Sequence, residues 1–179
     1  NNTTLGVSAG LNLTTGNGNA IMGYQAGFSH STGDDNTYIG YYAGYETANG
    51  TLNTYVGAYS GRWYATRGSY NVAIGGYALA QGQGHNNVAI GYQSLYYGDN
   101  DGLIAIGYRA NHQHHGKKTI AIGYEALYAS AGNLTTNDGE NCIAIGYQAG
   151  YTQVGGNLCT MIGTQSGYSL TTGYNNILI

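Results

Sequence analysis

Two short stretches carry the residue types from which a site is most readily built. His112-Gln113-His114-His115 places three imidazoles within four residues. In an extended segment side chains alternate, so His112 and His114 point to the same side. Two imidazoles from one chain do not fill a coordination sphere. Three copies around a threefold axis would offer six nitrogens, an octahedral cage suited to iron or nickel. Lys117 and Lys118 stand close by and favour a solvated loop instead. Arg62, Trp63, Tyr64 and Arg67 form the other stretch, with the only tryptophan and two of the three arginines of the chain. An aromatic ring beside guanidinium groups suits a surface glycan or an anionic polymer. A lateral contact between chains, with arginine paired to a carboxylate, is the alternative.

The remaining chemistry is sparse. Eight Asp and Glu residues are scattered, with no conspicuous pair beyond Asp34-Asp35. No Ser or Cys lies in a nucleophile motif, and the Gly-x-Gly strings read as turns rather than phosphate loops. The chain is therefore expected not to be an enzyme. Asp99-Asn100-Asp101-Gly102 is half of a calcium loop without its downstream acid, so a tight Asp-Gly turn is the better reading. No cofactor is expected beyond the conditional metal ion at His112 and His114. Five Lys and Arg against eight Asp and Glu give a net charge of −3. No basic patch exists to neutralise phosphates, so nucleic acid is not an expected partner. Charged residues make up 7 % of the chain, against roughly 25 % in an average soluble protein. With 20 tyrosines, this is not the common highly charged, aromatic-poor type of disordered chain. No apolar run approaches ~18 residues, so membrane insertion is not expected. There is no secretory signal and no initial Met, which suggests a processed protein or a fragment.

The elements that must position these residues come from a repeat. The string Ile-Gly-Tyr-x-Ala recurs along the whole chain, and its glycines are Gly6, Gly23, Gly40, Gly57, Gly75, Gly91, Gly107, Gly123, Gly146 and Gly163. Their spacings are 17, 17, 17, 18, 16, 16, 16, 23 and 17. Such a unit is too short for a helical hairpin or a propeller blade. It suits one rung of a parallel β-solenoid, two short strands and two turns. Proline is absent, as expected where every strand must donate its N–H to a neighbour. The expected fold is a single all-β domain over 1–179, a parallel β-solenoid of about eleven 16–17-residue rungs. At ~4.8 Å per rung it is a rod about 50 Å long. A loop at 133–140 is inserted into it.

Columns of the repeat predict the packing, counted from each glycine as position zero. Position −1 is aliphatic in every rung, from Leu5 to Ile179, and shares a face with position −3. Both are expected to form the core. Position −2, on the other face, holds Thr4, Ile21, Tyr38, Tyr55, Ala73, Ala89, Ala105, Ala121, Ala144, Met161 and Leu178. It is small or apolar where a solvated face would be polar, so the strand is expected to be buried on both faces. Ala73, Ala89, Ala105, Ala121 and Ala144 are then the expected contact between chains. Position −4 holds Asn2, Asn19, Asn36, Asn53, Asn71 and Asn87, then Leu103, Thr119, Cys142, Cys159 and Asn176. Stacked Asn side chains predict a hydrogen-bonded ladder at a sharp corner. Cys142 and Cys159, one rung apart in this column, point the same way and are expected to be buried free thiols. Tyr24, Tyr41, Tyr92, Tyr108, Tyr124 and Tyr147 stand at position +1; Phe28, Tyr45, Tyr96, Tyr128, Tyr151 and Tyr168 stand at +5. These rings either close the core and the seam between chains or form a strip that stacks on sugars.

The pattern Asn-x-x-Ala-Ile-Gly-Tyr-x-Ala, clearest at 71–78, 87–94 and 142–149, resembles the Asn-x-Val-Ala-Ile-Gly repeats of YadA-like trimeric autotransporter adhesin heads. It resembles still more closely the Asn-Thr-Ala-Ile-Gly-Tyr-x-Ala-Leu arrays of phage tail fibres and related bacterial fibre proteins. The resemblance covers essentially the whole chain. It implies a homotrimer of parallel β-rolls, extracellular, on a cell surface or virion-borne, that serves attachment to a cell-surface glycan or receptor. It also favours the His-x-His metal reading, since some phage tail fibres carry such sites. YadA-like repeats are shorter than these, and the tyrosine content here is high. An alternative is an extracellular structural filament growing head to tail, with Asn175, Asn176, Ile177 and Ile179 stacking on the first rung of the next copy. A monomeric ice- or glycan-binding solenoid is a third reading; the few Thr residues of position −3 are expected in the core and speak against it.

Overall fold

A computed structural model describes residues 1–62, 68–113, 116–128, 139–153, 155–171 and 173–179. Eleven short strands alternate with turns, and no helix occurs among the described residues. The strands are β1 (Thr3–Leu5), β2 (Ala20–Met22), β3 (Thr37–Ile39), β4 (Thr54–Val56), β5 (Val72–Ile74), β6 (Val88–Ile90), β7 (Ile104–Ile106), β8 (Ile120–Ile122), β9 (Ile143–Ile145), β10 (Thr160–Ile162) and β11 (Ile177–Leu178). They form one parallel sheet in sequence order, each strand paired with the strands of the neighbouring rungs. Register is kept throughout, so Ala73 pairs with Ala89 and Ala105 with Ala121. The fold is a parallel β-solenoid, as the repeat predicts. Eleven strands delimit ten strand-to-strand intervals, fewer complete turns than eleven rungs.

Among the described residues each rung contributes one strand rather than two. The repeat glycine ends the strand with φ between +127° and +139°, a region L side chains avoid. The next rung's glycine backbone also occupies the place where a Cβ would sit. The chain then turns through two further left-handed residues, at positions +2 and +4, such as Gln93 and Leu95. This far side is no strand but is still tied rung to rung. Gly27 N–H donates to Ala43 O at 2.8 Å, and Leu95 N–H to Ala110 O at 2.9 Å.

The core lies on the opposite side of the strand from the sequence expectation. Ala73, Ala89, Ala105, Ala121 and Ala144 are fully buried inside the chain's own coil, as are Ile21, Tyr38, Tyr55 and Met161 of the same column. These alanines therefore pack within one chain and not between chains. The aliphatic −1 positions and the −3 positions, which hold aliphatic residues, Thr and one Ala, face outward, and Met22, Ile39, Ile74 and Ile162 are exposed. Interior volume explains the inversion. Where position −2 is large, position +4 is glycine: a Cβ on Gly44 or Gly61 would strike the ring of Tyr38 or Tyr55, and one on Gly167 would strike Met161. In four of the five alanine rungs position +4 is Leu79, Leu95, Asn111 or Leu127, all buried; the fifth pairs Ala144 with Gly150, where the side chains of Leu127 and Met161 from the neighbouring rungs reach into the space. A narrow coil packs to constant density by trading size between these two columns.

The Asn ladder forms, though through the backbone more than through side-chain pairs. Asn71 Nδ2 donates to Gly84 O at 2.9 Å, and its Oδ1 accepts the N–H of Asn87 at 2.9 Å. Asn36 and Asn53 repeat both bonds. The left-handed residue of this corner is the one before the Asn, for example Tyr70 or Asn86. Cys142 and Cys159 continue the column as buried free thiols.

Candidate functional site

The distinctive surface is the outer face of the sheet. Its aliphatic columns run beside the position +1 tyrosines, and none of the three columns contains a charged residue. Over β6–β9 they read Val88, Ile104, Ile120, Ile143; then Ile90, Ile106, Ile122, Ile145; then Tyr92, Tyr108, Tyr124, Tyr147. The aliphatic residues are half-buried, and the tyrosines are 37–48 % exposed. The strand places them there because alternate residues of an extended chain share a face and the interior accepts only position −2.

The rings are stacked along the coil. Tyr92–Tyr108, Tyr108–Tyr124 and Tyr124–Tyr147 have centroids 5.7, 5.0 and 5.3 Å apart and lie within 14° of parallel. Each ring's faces are turned to its neighbours, leaving mainly edges outward, which is unsuited to stacking on sugar rings. The ladder is interrupted at Ala58 and Gly76, and there the stack shifts one residue on, to Tyr42, Tyr59 and Tyr77. The Arg62 guanidinium lies 4.6 Å from the Tyr59 ring centre and 5.0 Å from that of Tyr42. Arg62 thus joins an aromatic cluster of its own chain. Trp63, Tyr64 and Arg67 lie outside the described residues.

The second ladder runs Tyr96, His112, Tyr128, Tyr151, Tyr168, with centroids 5.0–5.3 Å apart. His112 is a rung of it, not part of a solvated loop; counting five from Gly107 identifies the position. The ring is buried, and its Nδ1 finds no hydrogen-bond partner among the described residues. Burial, then the Arg109 charge, lower its pKa to about 4. His114 lies outside the described residues, so the described geometry contains only one of the two expected metal ligands. Among the described residues no group of three or more His, Cys, Asp or Glu side chains comes together.

Polar side chains border the tyrosine face at position +2. Arg109 Nε donates to Gln93 Oε1 at 2.8 Å, Gln148 Nε2 to Glu125 Oε2 at 2.9 Å, and Gln165 Nε2 to Gln148 Oε1 at 3.2 Å. The phenols of Tyr124 and Tyr151 are pushed above their usual range, first by lost hydration and then by the Glu125 charge. They hold their protons at neutral pH, so neither tyrosine ladder gains a charge from them. At position −6 a further ladder forms that the sequence reading missed: Asn17 N–H donates to Asp34 Oδ1 and His85 N–H to Asp101 Oδ1. Its signal was faint, because Asp, Thr, Ser, His and Asn all serve there as acceptors. Of the residues expected in an end-to-end contact, Ile177 pairs with Thr160, Asn175 N–H donates to Asn157 O, and Asn176 donates to Cys159. Ile177 and Ile179 are exposed. At 133–140 only Gly139 and Glu140 are described. Comparison of the chain with models of protein families, with curated proteins and with solved structures finds no match.

Proposed function

We propose that this chain is a segment of a homo-oligomeric attachment fibre, extracellular or virion-borne. In this reading three parallel copies associate through the aliphatic and tyrosine face. The observation that carries it is the uncharged outer face of the sheet. Eleven strands at ~4.8 Å and three columns at ~7 Å give about 50 by 14 Å, or about 700 Å² per chain. That exceeds the ~300–600 Å² patch typical of a monomer and approaches the ~800 Å² that each partner buries in a standard interface. A surface repeating once per rung is best matched by a partner with the same period, and a second copy of the chain has it. Parallel, in-register copies set Thr37 beside Thr37 and Ile106 beside Ile106, so like polarity meets like along the axis.

Attachment follows from many weak contacts multiplied by several chains. Arg62 and its tyrosine cluster, with Trp63, Tyr64 and Arg67, are the proposed contact for a cell-surface glycan. Arg62→Ala is expected to weaken binding of the fibre to target cells while leaving its melting temperature within a few degrees. Equal binding would remove this site. The fibre itself is tested by absolute mass in solution for the natural chain and for Ile106→Lys.

One observation favours a second reading. Thr37 and Thr54 lie on the outer face, not in the core, which removes an argument against a monomeric ice- or glycan-binding solenoid. A mass of one chain would bring that reading forward.

A further inference from the structure

Cys142 and Cys159 occupy the Asn column in successive rungs, and their surroundings repeat with the rung. Cys142 Sγ lies 3.6 Å from Glu140 O and 3.5 Å from Gly156 O; Cys159 Sγ lies 3.7 Å from Asn157 O and 3.5 Å from Gly173 O. In each case the partners stand two residues before and fourteen after the cysteine. The two sulfurs are therefore related by one rung, about 4.8 Å. A disulfide needs sulfurs ~2.0 Å apart, so both remain free thiols. That same separation is what a linear thiolate–metal–thiolate unit requires. Taking the ~2.3 Å of a zinc–thiolate bond as an upper guide, the sulfurs of such a unit stand up to about 4.6 Å apart, within a few tenths of an ångström of the rung spacing.

We propose that Cys142 and Cys159 form a two-coordinate site for a soft monovalent metal ion, copper(I) being the natural probe. Thiolates select copper(I) over the hard cations. Zinc would need four ligands, and no third His, Cys, Asp or Glu joins these two among the described residues. Loading replaces two S–H protons by one monovalent ion and leaves one net negative charge in the coil. One side-chain N–H faces each sulfur, beside the two carbonyl oxygens that accept from the thiol. Gln153 Nε2 lies 3.3 Å from Cys142 Sγ, and Asn176 Nδ2 lies 3.8 Å from Cys159 Sγ. The Gln153 side chain is fully buried beside the pair, and its Oε1 finds no partner among the described residues. Burial raises the Cys142 thiol pKa.

The test uses the whole chain, reduced and oxygen-free, titrated with copper(I) held by a competing chelator such as bathocuproine disulfonate. The expected result is one ion per chain, a raised melting temperature and both thiols protected from alkylation. Cys142→Asn and Cys159→Asn restore the residue that other rungs carry here, and each is expected to lose uptake completely. Should either fail to fold, Cys142→Ser and Cys159→Ser serve in its place. Uptake undiminished in the single variants would overturn the site. So would a natural chain that takes no copper from the chelator, or one whose mass shows the two cysteines bridged.

Discussion

Gly44 lies directly against the ring of Tyr38: a Cβ at residue 44 would come within 2.9 Å of it. Ala89 and Leu95, one partner from each of the same two columns, are both fully buried. Side-chain volume moves between the columns while the backbone stays the same.

This compensation is measurable as a coupling. Tyr38→Ala alone leaves a cavity and should cost about 3–5 kcal/mol. Gly44→Leu alone overpacks a left-handed position and should cost about 2 kcal/mol or more. The double variant mimics an alanine rung and should cost clearly less than the sum of the two. Strict additivity in denaturant unfolding would show that the columns do not share one space.

Ala105→Arg places a cation inside the coil, which costs several kcal/mol when no partner meets it. The expected outcome is loss of the strand signal in circular dichroism, in one chain as in an assembly. A folded variant melting like the natural chain would return the alanines to the outside.

The Asn column, the glycine spacing and the absence of proline made the solenoid legible from sequence, because each reports backbone geometry directly. The sidedness of the strand was not legible. Hydrophobicity placed Ile90 inside and Ala89 outside, since ranking by apolarity ignores how little room the coil has. Leu79, Leu95 and Leu127 carried the correcting signal, but they stand six residues after the alanines they complement. His112 was expected in a solvated loop for a related reason: Lys117 and Lys118 close by suggested exposure, whereas its column places it among stacked rings.

Asn71→Ala removes the acceptor of the Asn87 N–H and the donor to Gly84 O. Two buried backbone groups lose their partners, for a cost of about 2–4 kcal/mol. Thermal melting should show it, and Asn71→Cys, the residue that β9 and β10 tolerate, should be milder. Melting unchanged by Asn71→Ala would mean that water enters the ladder.

His112 gives a pH signature. Its folded pKa of about 4 lies below the ordinary 6.5, so between these values the unfolded chain binds the extra proton. Stability from this residue is fully present above about pH 6.5 and declines as pH falls toward 4. His112→Phe keeps a ring in the ladder and removes the titration. Between pH 7 and 4.5 its melting temperature should fall less than that of the natural chain. An equal fall in both would show that His112 titrates normally.

Absolute mass by light scattering across a concentration series, for the natural chain beside Ile106→Lys, tests the outer face most directly. Association through this face predicts a fixed mass of three natural chains, and folded single chains for the variant. A natural chain that remains single at every concentration, or an Ile106→Lys variant that assembles as the natural chain does, would contradict it.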